Sequence, residues 1–196
     1  MKKILTIIVT ITMIFSQNKV GGLTYFDFTH TEDESGFNFK RQYVSVAGSS
    51  GENMKYKVVM DVGRYGDDNR LTAFLKKAQA DYTTDYGKIS LGLIGMNTYG
   101  VQEKNWGYRF ISKSAIDKNK FSATADLGIG YSNVLMENLN LSLQLTNGEG
   151  YKKSQEDTFH KISLNATYGE MKINKNDGYN AGLVFSTMPT EDDPMN

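Results

Sequence analysis

Leu139-Asn140-Leu141-Ser142-Leu143-Gln144-Leu145-Thr146 alternates without a break: four leucines fall on one side, and Asn, Ser, Gln and Thr on the other. A period of two over eight residues specifies an extended strand with one apolar and one polar face. Met54-Lys55-Tyr56-Lys57-Val58-Val59-Met60-Asp61-Val62 and Ser122-Ala123-Thr124-Ala125-Asp126-Leu127-Gly128-Ile129-Gly130-Tyr131 repeat the pattern. In a water-soluble sheet the apolar face is covered by a second layer. Here nearly every segment after residue 20 has the same two-sided character, and little sequence is left to build that layer. A lipid bilayer would cover the apolar face instead.

Working outward, nine strands are expected over about 20–31, 36–48, 53–64, 71–83, 87–97, 120–132, 138–147, 158–169 and 178–188. Two of them break the simple period. The second changes phase between Phe37/Phe39 and Val44/Val46, the mark of a bulge. In the fourth, Leu71, Phe74, Leu75, Ala78 and Tyr82 fall at helical spacing, while Ala78, Ala80 and Tyr82 alternate with Lys77, Gln79 and Asp81; a strand is expected. The connections after the second, fourth and sixth strands are short and rich in turn residues. Those after the odd strands are acidic, charged or polar, and the segment from Thr98 to Asn119 is long, with room for a short helix between Tyr108 and Lys118. Outer-membrane barrels show this parity, with short periplasmic turns and longer external loops.

Composition agrees. The 196 residues include no Cys, 2 Pro and 19 Gly, with zero formal charge and a mean hydropathy of −0.45. A barrel needs only alternate residues to be apolar, so it reads as polar on average. Zero net charge argues against a nucleic-acid partner. Lys2 and Lys3 followed by an apolar run from Ile4 to Phe15 resemble a secretory signal over residues 1–16, too short to span a bilayer as a helix. The expectation is an antiparallel, up-and-down transmembrane β-barrel domain over 17–196, in contact with outer-membrane lipid and lipopolysaccharide. Tyr25, Phe26 and Phe28 near one end of the first strand, and Tyr82, Tyr86, Tyr131 and Tyr168 beside the short turns, suit two interfacial aromatic belts.

Several pieces taken in order resemble the phosphate-selective porin O/P-type family of bacterial outer-membrane porins. They are Phe37-Asn38-Phe39-Lys40-Arg41-Gln42-Tyr43-Val44-Ser45-Val46-Ala47-Gly48, Tyr56-Lys57-Val58-Val59-Met60-Asp61 and Trp106-Gly107-Tyr108-Arg109-Phe110. After them come Ser122-Ala123-Thr124-Ala125-Asp126-Leu127-Gly128 and Leu145-Thr146-Asn147-Gly148-Glu149-Gly150. The resemblance implies a large barrel, usually a homotrimer, that passes small solutes or ions. Nine strands is an odd number, whereas single-chain bacterial barrels are even, and the tail from Met188 to Asn196 is acidic and Pro-containing rather than a closing strand. Two readings follow: the first part of a porin of about 16 strands, or an eight-stranded barrel with one strand too many assigned.

A diffusion channel performs no bond chemistry, and no cofactor, metal-binding or phosphate-cradling motif is present. The candidate residues are therefore charges aimed at the lumen: Lys55 and Lys57 beside Asp61, Lys77 and Lys161 opposed by Asp81 and Asp126, and Arg109 in the long loop, which could fold inward as a constriction. A basic ladder would favour anions such as phosphate, but near-equal numbers of Asp and Lys point to mutually paired charges. His30 and His160 sit at strand ends outside any catalytic motif, so no enzyme is expected. Small non-channel barrels with structural or adhesive roles, and secreted ligand-binding β-sandwiches, remain as alternatives.

Overall fold

The computed structural model describes residues 16–189. The leader segment before Ser16 and the end of the acidic tail lie outside the described residues. Nine strands form one antiparallel sheet in strict sequence order: β1 Ser16–His30, β2 Ser35–Ser50, β3 Met54–Tyr65, β4 Arg70–Thr84, β5 Gly87–Gly95, β6 Ala125–Met136, β7 Leu139–Thr146, β8 Lys161–Gly169 and β9 Asn180–Thr187. Each strand pairs only with its neighbours in sequence, so the sheet is open, with edges at β1 and β9.

Two adjacent rows across the sheet show why these sequences pair in this register. One row runs Ser49, Lys55, Asp81, Ser90, Gly130, Gln144, Ser163, Ser186. The next runs Met54, Tyr82, Ile89, Tyr131, Leu143, Leu164, Phe185. Directly opposed residues share a face, so one face is polar and the other apolar across the sheet. A one-residue slip at any pair would mix the rows, which fixes the register. The apolar face is the bare one. Ile89, Leu91, Leu127, Ile129, Leu143, Leu145, Ile162 and Leu164 are all exposed, while Ser163, Asn165, Thr167, Gln144 and Thr146 on the polar face are buried. This inverts the pattern of a soluble fold, in which exposed apolar patches are small.

Both irregular strands contain bulges. In β2, Tyr25 pairs with Arg41 and Phe26 with Phe39, leaving Lys40 unpaired. Phe37 and Phe39 thereby share the apolar face with Val44 and Val46. In β4, Val59 faces Lys77 and Met60 faces Leu75, leaving Lys76 as the extra residue. The helical spacing read in that segment is two runs of period two joined out of phase.

Some boundaries differ from expectation. β5 stops at Gly95, and the stretch before Ala125 is not strand. The long connection instead holds α1, Asn97–Trp106, and α2, Ala115–Lys118. Only α2 falls within the span where a helix was expected; α1 ends at Gly107, whose φ of 69° suits a glycine cap. The turn after β6 tightens to Glu137-Asn138, with Asn138 at φ 72°. The connection after β8, residues 170–179, is longer than the other even-numbered turns.

Candidate functional site

The segment between β5 and β6 lies across the polar face. Where the chain leaves β5, Gln144 of β7 clamps the corner: its Nε2 donates to the Gly95 carbonyl at 2.9 Å, and its Oε1 accepts from the Asn97 amide at 2.8 Å. The Asn97 side chain donates to the carbonyls of Ser142 (2.9 Å) and Ser163 (3.2 Å). Its Oδ1 accepts from Ser163 Oγ at 2.8 Å, and its carbonyl accepts from Asn165 Nδ2 at 2.9 Å. These polar residues of β7 and β8 are buried because the first turn of α1 sits on them. Farther along, Arg109 lies over the Tyr25 ring of β1, 5.7 Å from its centroid. One segment thus reaches from β8 to β1. Strands lie about 4.8 Å apart, so a flat sheet would separate β1 and β8 by about 34 Å; the polar face must curl around the segment.

A cavity of about 930 Å³ remains between α1 and the polar face of β1–β7, lined by Lys57, Lys76, Lys77, Lys88, Lys104 and Arg109 against only Asp85 and Glu103 among the acids. The carboxylates expected to balance the lysines also have other partners. Asp126 is 2 % exposed and accepts from the backbone amides of Leu127 (2.8 Å), Gly148 (2.5 Å) and Gly150 (3.2 Å). It organises a loop and also attracts Lys161, which faces inward, half-buried, beside Thr146. Asp61 is fully buried, bound by Arg41 at 3.3 Å and Tyr151 at 2.8 Å, with Lys76 at 3.9 Å. Asp81 pairs with Lys88 at 3.7 Å and accepts from Ser90 and Gln79.

Of the expected lumen residues, Lys57, Lys77 and Arg109 line the cavity. Lys55 shares the polar face but is exposed, opposite Asp81. Asp61 does not sit with Lys55 and Lys57. Arg109 is tied to Glu103 at 3.5 Å and Asp117 at 3.9 Å, which fixes it over the cavity. Lys104 of α1 holds its proton less tightly than an ordinary lysine, first because burial strips its water and then because Lys172, Lys88 and Lys57 face it. Burial, followed by the Glu103 carboxylate as hydrogen-bond partner, raises the Tyr99 hydroxyl above its ordinary value. Asn97, Arg41, Lys76, Lys104 and Tyr151 were not singled out by sequence as site residues; Arg41 stands in a stretch read only for its family resemblance, and the others in stretches without motif character. His30 and His160 are exposed at the long-loop end, as expected.

Aromatic side chains divide between the faces. Tyr82, Tyr86, Tyr131 and Tyr168 are exposed at the short-turn end, and Phe26, Phe28 and Phe37 at the other. Tyr25 departs from that belt: it lies on the polar face, edge-on to Tyr43 with ring centroids 6.3 Å apart. Compared with known proteins, the chain matches no family model, no curated protein and no solved structure.

Proposed function

We propose that the chain forms the wall and constriction of an outer-membrane diffusion channel for small solutes or ions, of the phosphate-selective porin O/P kind, with a bias toward anions. The observation that carries the reading is the inversion of the sheet: exposed leucines, isoleucines and rings on one face, buried polar side chains and a folded-in segment on the other. A bilayer satisfies the first face and an aqueous lumen the second. Strands of 8 to 16 residues are of the length that tilted membrane strands need. The two aromatic belts fall where headgroups would meet the wall. The anion bias follows from the cavity lining, six cationic side chains to two acidic ones. Lys57, Lys77 and Lys104 form no ion pair among the described residues, so their positive potential extends into the passage.

The Asn97 network also supports a second reading, a plugged barrel with a structural role, because it holds α1 firmly inside. Planar-bilayer recording of the full-length protein separates the two. The channel reading expects discrete conductance steps and, in a salt gradient, a reversal potential of the sign given by anion flow. A protein that inserts, as shown by heat-modifiable gel mobility, yet yields no steps would establish the plug. A mature protein that stays in aqueous solution would refute both.

A further inference from the structure

A second loop also crosses the polar face. The connection of residues 147–160 leaves β7 and is held at its base by Asp126 of β6, through the amides of Gly148 and Gly150. The Tyr151 amide adds a bond to the Ala125 carbonyl at 3.0 Å. Gly148 and Gly150 have φ of 105° and 81°, a region other residues avoid. The base is therefore a sharp corner built from two glycines and one carboxylate. From it Tyr151 and Lys152, the next two residues, reach over to β3 and β4. Tyr151 Oη donates to Asp61 Oδ2 of β3 at 2.8 Å, and Lys152 Nζ lies 3.6 Å from the centroid of the Tyr65 ring and 5.2 Å from that of Phe74. The Phe74 and Tyr151 rings meet edge-on at 6.5 Å.

We propose that this loop is a gate, latched by Tyr151 on Asp61 and by Lys152 on Tyr65 and Phe74, that lifts from the fixed corner at Gly148 and Gly150. The inference rests on the channel reading. The latch and the base differ in kind. The base is one carboxylate shared among backbone amides of its own strand and loop, which keeps the corner folded. The latch contacts are few, between side chains far apart in sequence, and made to a wall that stays intact when they break. Asp61 keeps Arg41 and Lys76 as partners without Tyr151, and its Oδ1 has no partner even in the latched state. The wall thus loses one bond on opening, while the lumen beside α1 widens. Segments held by few contacts open more readily than the sheet that carries them.

Two measurements on the folded full-length protein test this, comparing wild type with Tyr151→Phe, Lys152→Gln and, as a control, Glu156→Gln at an exposed position of the same loop. The first is trypsin cleavage after Lys153 in detergent micelles, whose rate reports how often the loop backbone opens and does not depend on a channel. Each latch variant is expected to be cut about tenfold faster, and the control at the wild-type rate. The second is bilayer recording, in which the latch variants spend several-fold more time at a higher conductance level. Unchanged cleavage in both latch variants would overturn the latch. Faster cleavage with unchanged recordings, in a wild type that conducts, would overturn the gate and leave the channel standing. A wild type that never conducts would remove the gate and the channel together.

Discussion

Asp126 shows how much one side chain can organise. A carboxylate at the start of β6 would ordinarily face solvent or a lysine; here three backbone amides converge on it. Hydrogen bonds to a charged acceptor are worth roughly 1.5–3 kcal/mol each when buried, so this residue holds the 147–151 corner. Asp126→Ala is expected to loosen that corner by about 3 kcal/mol while β6 keeps its register. Hydrogen exchange at the Gly148 and Gly150 amides should accelerate by two orders of magnitude or more, with exchange in β5 and β7 unchanged; uniform acceleration would place the role of Asp126 in the sheet instead. The sequence marked Asp126 as an inward charge but not its task. Inward direction follows from period two, whereas two of the three amides that meet it come from a loop more than 20 residues later whose path no local pattern specifies. The partners of Asp61 were illegible for the same reason: Arg41, Lys76 and Tyr151 come from β2, the β4 bulge and a distant loop.

Among the elements, the strands were legible and the inserted helix was not. Alternation and turn residues place all nine strands to within a few residues, and the phase change in the second marks the bulge at Lys40; the bulge at Lys76 lay hidden behind helical spacing. By contrast, α1 has few apolar residues and no side-chain cap at its start. Its position is set by tertiary bonds at Asn97 rather than by helix propensity or amphipathicity. That makes Asn97 the element's anchor. Asn97→Ala removes the side-chain bonds to Ser142 and Ser163 and leaves buried polar partners unsatisfied, at a cost of about 3 kcal/mol. The helix should then detach from β7 and β8 without unfolding the sheet. Bilayer recording should show a conductance increase, and proteolysis should begin at Lys104; a variant with wild-type conductance and protease resistance would show that contacts farther along, such as Arg109 over Tyr25, hold the segment instead.

For the whole molecule, the proposed channel places different media on the two faces. In water on both sides, the exposed leucine, isoleucine and aromatic rows would be a large unsatisfied apolar surface, at roughly 25 cal/mol per Å². In lipid the same rows are satisfied, while the polar rows, α1 and the 147–160 loop enclose the aqueous side. The edges at β1 and β9 carry unpaired backbone groups, which a bilayer does not tolerate. On the channel reading, both edges need backbone partners within the bilayer. The absence of cysteine opens a direct test of the two-faced wall. Single cysteines are placed in turn at residues 139–146 of β7 in protein assembled in an outer membrane, and each is exposed to a charged, membrane-impermeant thiol reagent and to a lipid-soluble one. Residues 140, 142, 144 and 146 should resist the lipid-soluble reagent, with the charged reagent reaching those not covered by α1, while 139, 141, 143 and 145 should react with the lipid-soluble reagent alone. Reaction of the odd-numbered positions with the charged reagent would contradict the account.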